Sequence, residues 1–202
     1  MSDHADRPNT TNVDITAEAL ELRRLADETA TDAQTYLESV TEGAAGSEPD
    51  TAIPILLLAL SQTLLAGARL GAISDVVPSR RFEPDTGPDP DVDPVRAGLA
   101  NLLEGLDEYA DVVDPLTNGE VVQGRLSDDL ADIAADLSHG LRHYRAGEVD
   151  EALWWFQYSY LSNWGVRATT ALRVLQSMIA HLRLDVDADT VADAEFEALH
   201  VN

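Results

Sequence analysis

The chain has 202 residues, no cysteine, and 37 acidic residues against 13 basic ones, all arginine, for a formal net charge of -24. Such a balance excludes nonspecific binding to nucleic acid, which needs cations at the phosphates, and the missing thiols exclude disulfides, cysteine nucleophiles and cysteine-based metal sites. A polyanion of this kind repels itself in dilute buffer and is relieved once molar salt shrinks the Debye length to about 3 Å, so the expectation is a cytoplasmic protein of a salt-rich cell.

The predicted elements follow from helical spacing, proline and glycine. Residues 1–13 read as a disordered N-terminus with no basic-then-apolar leader. The first helix starts near Asp14 or Thr16 and ends at Gly43, with Leu22, Leu25, Tyr36, Leu37 and Val40 at helical spacing. A second starts after Asp50 or Thr51, tolerates Pro54 in its first turn and ends near Gly71. Its charge-free run, Thr51–Ala68, contains Ser61, Gln62 and Thr63 and falls short of the ~20 residues of a membrane span, so no membrane is expected. Residues 74–94, rich in Pro and Asp, read as a flexible loop or a lid. A third helix is capped by Asp93, takes Pro94 at its first position and stops before Asp114-Pro115; Glu120–Val122, after Asn118-Gly119, has room for a brief extended stretch. The fourth has Ser127 as N-cap, Asp128 and Asp129 in its first turn and Gly147 at its end. The fifth runs from Asp150 towards Leu182 or Leu184, and residues 185–202 form an acidic tail with a short helix after Asp189. The fold class is all-α: a single bundle of five to six helices over residues 14–184 with one long Pro/Asp-rich loop.

Two stretches lack acid altogether. Ala152–Leu184 holds none where about six are expected at random (37/202 × 33), and none lies between Asp50 and Asp75. One explanation is that the second and fifth helices form the buried centre of the bundle. The fifth helix carries an apolar stripe of Leu161, Trp164, Ala168, Ala171, Leu172, Leu175, Met178, Ile179 and Leu182. Its other side is polar without acid: Ser159, Ser162, Asn163, Arg167, Thr170, Arg173 and Ser177, joined by Trp155, Phe156 and Tyr158. All three Trp with Phe156, Tyr158 and Tyr160 fall within eleven residues. Trp, Tyr and Arg dominate binding hot spots because they join large contact area to a polar tip or fork.

On the fourth helix Leu130, Ile133, Leu137 and Leu141 form a core face, while Asp128, Asp132, Asp136, His139 and His143 line the opposite sector, as a solvated surface does. The same residues are candidate ligands for a divalent cation beside a phosphate. Glu197 with His200 is the one other metal half-site, and no glycine-flanked nucleophile or phosphate loop occurs.

From Tyr109 to Gln176 the chain resembles the helical domain-of-unknown-function family 5063. The resemblance rests on Asp114-Pro115, Leu126 through Ile133, Asp136-Leu137, Gly140-Leu141, Tyr144, Gly147, Ala152, Trp154, Phe156, Ser159, Trp164-Gly165, Ala168 and Ala171-Leu172-Arg173. Asn163 and the Val166-Arg167-Ala168 run stand where the family pattern suggests histidines. The resemblance implies a helical fold and brings no established activity. A looser likeness, over about fifty residues, is to the all-helical chaperones that escort molybdoenzymes, although Ser127-Asp128-Asp129 replaces their Pro-Asp-His element.

Two functional expectations follow. The first is a non-enzymatic interaction or ligand-binding module without cofactor, meeting a protein partner, a second copy or a small molecule through Trp155, Tyr158, Ser162, Asn163, Arg167 and Arg173; a chaperone-like escort of a redox enzyme is a variant of it. The second is a divalent-metal enzyme acting on a phosphorylated small molecule through Asp128, Asp129, Asp132, Asp136 and His139.

Overall fold

Apolar residues recur every three to four positions along most of the chain, and the computed structural model answers with six α-helices, one π-helical turn and a β-hairpin; it describes residues 10–78, 87–114, 116 and 118–200. Helix α1 (Thr10–Ala44) turns Ala26, Ala30, Ala33, Tyr36 and Val40 into the core, and the wholly buried Tyr36 hydroxyl donates to the Leu130 carbonyl at 2.9 Å. Leu22, Leu25 and Leu37 pack at its edge. The helix begins earlier than Asp14, so residues 10–13 are helical; the rest of the expected disordered N-terminus lies outside the described residues. Helix α2 (Pro49–Ala72) takes Pro49 at its first position. Pro54 falls one turn further in than expected, where its missing N–H cannot serve the Asp50 carbonyl four residues back.

Of the expected 74–94 loop, residues 79–86 lie outside the described residues, and its last two belong to the next helix. Its described flanks are tied down. The buried Gln157 side chain donates to the Leu70 carbonyl at 2.9 Å, closing the end of α2, and accepts the Val76 N–H at 2.8 Å. On the far side, Arg142 donates to the Pro88 carbonyl.

Helix α3 (Asp93–Leu102) is much shorter than expected. Gly105 at φ 81 breaks the chain direction, a backbone conformation that costs glycine little. The β-branched stretches on either side of Asn118 then pair as an antiparallel hairpin, β1 (Glu108–Asp114) with β2 (Asn118–Arg125), in register Tyr109 to Gly124 and Val112 to Val121. The fold is thus helical with one hairpin arm.

Helix α4 (Leu126–Arg145) starts where Arg125, not Ser127, is the cap residue. The orphan N–H groups of its first turn are met from outside: Asp107 accepts the Ser127 N–H at 2.7 Å and the Ser127 hydroxyl at 2.8 Å, and pairs with Arg125 at 3.0 Å. Asp107→Ala removes that cap and strands a buried hydroxyl. It is expected to lower unfolding free energy by about 2 kcal/mol, read by chemical denaturation in molar salt.

After Gly147 (φ 82) the chain runs as one rod: α5 (Val149–Ser159), a π-turn (Tyr160–Trp164) and α6 (Gly165–His200). The Gly165 N–H bonds the Tyr160 carbonyl five residues back, which defines the π-turn. Its cause is phase. Phe156 and Trp164, both wholly buried, are eight residues apart and would lie about 80° out of register on a straight α-helix at ~100° per residue. The extra residue absorbs that angle. It also turns Leu161, expected in the core stripe, out to 59% exposure. The rod continues to His200 instead of ending at Leu182 or Leu184, with no separate helix after Asp189.

The rod lies antiparallel to α2. Gly67 of α2 sits under Tyr160 and Trp164, so closely that a Cβ there would come within 2.5 Å of the Tyr160 ring, while Pro54 shares a recess with Ile179 and Leu182 near the opposite end. Tyr36, Ile53, Leu56, Leu60, Leu130, Ile133, Phe156 and Trp164 make up the wholly buried centre.

Candidate functional site

The outward sector of α4 and the polar side of the rod, two separate candidates in the sequence, face each other. Arg167 lies one turn beyond the π-turn and reaches α4 with its fork. Its Nη1 stands 3.1 Å from Asp129 and 3.3 Å from Asp132, and its Nε donates to Asn163 Oδ1 at 2.9 Å. Asn163 donates in turn to Asp136 Oδ2 at 2.7 Å. From the other side Arg96 of α3 meets Asp128 and Asp132, each at 2.9 Å. The hairpin closes the top: Tyr109 donates to Asp129, and Asp111 accepts from Thr170 at 2.9 Å and from Arg173 at 3.1 Å.

The α4 stripe is therefore no solvated surface. Asp129 and His143 are buried, and Asp132, Asp136 and His139 are half-buried. Helix α4 buries its polar side because cations and amides from α3, the hairpin and the rod meet it there. This polar seam joins four elements, and each carboxylate in it has a hydrogen-bonding partner or a cation. Burial outweighs the Tyr109 and Arg167 contacts and holds the Asp129 carboxyl above the usual range. Burial, then the bond to Asp129, lifts the Tyr109 phenol well above its own.

At the lower end of the seam Trp155 donates to the Asp136 carbonyl at 2.8 Å and lays its ring on His139 with centroids 4.0 Å apart. The Arg142 guanidinium can only donate, so His139 accepts at Nδ1, 3.2 Å away, and carries its proton at Nε2. That nitrogen is 3.2 Å from His143 Nε2, which must then accept.

Asp136 is displaced far from its ordinary state. Burial, only partly offset by the Asn163 bond, pushes it up to about 6. A carboxyl whose folded pKa is raised holds a proton that the unfolded chain releases, so stability falls as pH rises from about 4 to 6 and the cost is full above that. Asp136→Asn keeps an acceptor for Asn163 and removes the cost. Discounted for partial exposure, the expected gain is about 1–2 kcal/mol at pH 7 and near zero at pH 4. Denaturation at both pH values checks this, with Asp150→Asn on the exposed start of α5 as the charge control.

Among the described residues no three His, Asp or Glu side chains converge on one point. Asp128, Asp129 and Asp132 turn to Arg96 and Arg167. Glu197 and His200 lie where side chains are outside the described residues.

The six residues expected to bind a partner divide. Trp155, Asn163 and Arg167 are spent inside the seam. Tyr158 is exposed and stacks on Trp154 at 5.4 Å, Ser162 is exposed and donates to the Tyr158 carbonyl at 2.7 Å, and Arg173 keeps most of its guanidinium outside. Sequence reasoning missed Arg96, Tyr109 and Asp111, whose only signal was their place in predicted helix or loop.

It also misread the outer side of α2. That helix is long and apolar enough to cross a membrane by length and composition, yet only 44% of its apolar window is buried here. Ile55, Leu58 and Leu65 are exposed, contrary to a wholly buried central helix. Between α2 and α6 runs a groove of about 390 Å³, lined by Leu57, Ser61, Thr169, Leu172, Arg173 and Gln176.

The chain matches the family model "Domain of unknown function (DUF5063)" over residues 21–181 and belongs to that family, which reaches well beyond the Tyr109–Gln176 stretch of the resemblance, back into α1. No curated protein matches it. Among solved structures, protein BF1032 from Bacteroides fragilis has a similar fold, with a TM-score of 0.61 at 20% identity over 75% of this chain and 89% of that one.

Proposed function

We propose that the protein is a non-enzymatic interaction module of a salt-rich cytoplasm, and that its contact surface is the outer side of the antiparallel α2–α6 pair. One observation carries the reading. The two acid-free stretches, 51–74 and 152–184, lie side by side, and on their outer side Leu58 is 61%, Leu65 56%, Leu161 59% and Val166 64% exposed. On a chain of net charge -24 carboxylates keep the surface hydrated. An apolar face from which they are missing marks a surface that another molecule covers. Of the residues first singled out, Arg173 alone lines the groove on this face, its guanidinium held there by Asp111 at 3.1 Å. Trp155, Asn163 and Arg167 support the face from behind by fixing the rod on α4.

Position-specific crosslinking tests the reading. A photoreactive side chain at Leu65 or Val166, in the full chain and in molar potassium chloride, is expected to give a discrete adduct, and the same group at Glu38 on the exposed side of α1 none. Equal labelling at all three positions, or none at any, overturns it.

A further inference from the structure

The exposed side of α2 carries more than scattered leucines. Ile55, Leu58, Gln62, Leu65 and Arg69 follow one another at intervals of three and four residues, the spacing of a coiled-coil seam with a polar residue at its centre. All five are exposed, and Arg69 at the end of the row pairs with Glu28 of α1 at 3.1 Å. The inner side of α2 repeats a different set, Ile53, Leu56, Leu60, Gly67 and Leu70, already packed in the core. A helix with two packing faces and one occupied is built for a second helix.

We infer that the second helix is α2 of another copy of this chain, crossing antiparallel about a twofold axis near Gln62; the inference rests on the α2–α6 contact surface proposed above. Charge argues for a second copy at this place. Two chains of net charge -24 repel across any acid-coated surface, and a face without acid is where they meet with their carboxylates held apart. Charge also sets the direction. The charged residues of α2 are Asp50 in its first turn and Arg69 in its last. A parallel pair would bring the two Arg69–Glu28 ion pairs, and with them two carboxylates, together at one seam position, whereas an antiparallel pair holds them at opposite ends. Leu58 of one copy then faces Leu65 of the other, Ile55 meets the stem of the other copy's Arg69, and Gln62 finds a polar neighbour across the axis. The area suffices. A 24-residue helix is about 36 Å long. With the rod widening the face to about 20 Å, it offers about 700 Å² per copy, near the ~800 Å² of a standard interface.

The whole protein is examined by sedimentation and light scattering in low and in molar potassium chloride. The expected result is a dimer in molar salt that dissociates as salt is removed, the opposite of an interface held by ion pairs. The double change Leu58→Glu with Leu65→Glu is expected to abolish the dimer with helix content unchanged and to make the melting temperature independent of protein concentration. Because the chain has no cysteine, Leu58→Cys and Leu65→Cys variants report direction. Mixed, they are expected to form the 58-to-65 disulfide; a 65-to-65 disulfide as the main product overturns the antiparallel arrangement. A monomer in molar salt, or flotation with neutral phospholipid vesicles in place of a dimer, overturns the inference. If the crosslinker at Leu65 captures only a different protein, the second copy is refuted while the contact surface stands. If it captures nothing, both fall.

Discussion

Arg167→Ala is expected to lower folding stability by about 3 kcal/mol. The side chain neutralises Asp129, which is 8% exposed, and shares Asp132 with Arg96, so its loss leaves a buried carboxylate with only the Tyr109 hydroxyl beside it. Breaking one partner out of a buried pair costs about 3–5 kcal/mol, and the 39% exposure of Arg167 puts this case at the lower end. Two features separate an electrostatic cause from lost packing. The Asp129 carboxyl is already held above its ordinary range by burial, and removing the cation raises it further. The penalty is therefore full at neutral pH and shrinks as pH falls through the folded pKa and Asp129 takes up a proton. Adding Asp129→Asn in the same chain is expected to recover at least half of the loss, a coupling of about 1–3 kcal/mol in a double-mutant cycle. Equal losses at pH 4 and pH 7, with no rescue, would show that Arg167 only packs.

Why the seam escaped sequence reasoning is itself physical. A stripe of Asp on one side of a helix reads the same whether it meets water or the arginines of another helix. Here the partners lie far off in the chain, Arg96 32 residues before Asp128 and Arg167 38 residues after Asp129. Local pattern decided what depends on local burial: Leu130, Ile133, Leu137 and Leu141 are all in the core as their spacing requires. It could not decide which polar residues are buried, because that depends on a distant opposite charge. The hairpin was hidden for a related reason. Asn118-Gly119 suggested extension, but the stop at Gly105 and the docking of Tyr109 and Asp111 onto α4 and α6 are tertiary facts.

The acid-free stretches had two readings, the buried centre of the bundle or, on the polar side of the fifth helix, a face that meets protein or ligand. In the rod the missing acid has two causes. On the seam side an added carboxylate would face Asp129, Asp132 and Asp136, so Asn and Arg stand there instead. On the groove side neither water nor a like charge explains the gap, since Leu58, Leu65 and Val166 stand in the open. Only the second cause points outward, and it moves the proposed contact surface from the tryptophan-bearing side of the rod to the side it shares with α2.

Deleting Leu161 is expected to leave the fold intact, whereas deleting Thr169, two turns further on, is expected to destroy it. Both residues are exposed, and neither removes a core side chain, so a residue-by-residue account predicts similar effects. Phase predicts opposite ones. Without Leu161, Phe156 and Trp164 are seven residues apart, about 20° from alignment on a straight helix; the π-turn becomes an ordinary α-turn and α6 keeps its place against Gly67 and Asp129. Stability within about 1 kcal/mol of the parent is the expected outcome, since a π-turn is a single inserted residue in an α-helix. Without Thr169 every later residue turns by ~100°. Ala171 and Leu175 then leave the core and Arg173 leaves Asp111, with no π-turn there to absorb the change. Thermal unfolding followed by circular dichroism in molar salt separates the two outcomes. Collapse of the Leu161 deletion would mean that the π-turn is held by its own contacts, Ser162 to the Tyr158 carbonyl and Trp164 to Ser159, and not by the register of the two halves of the rod.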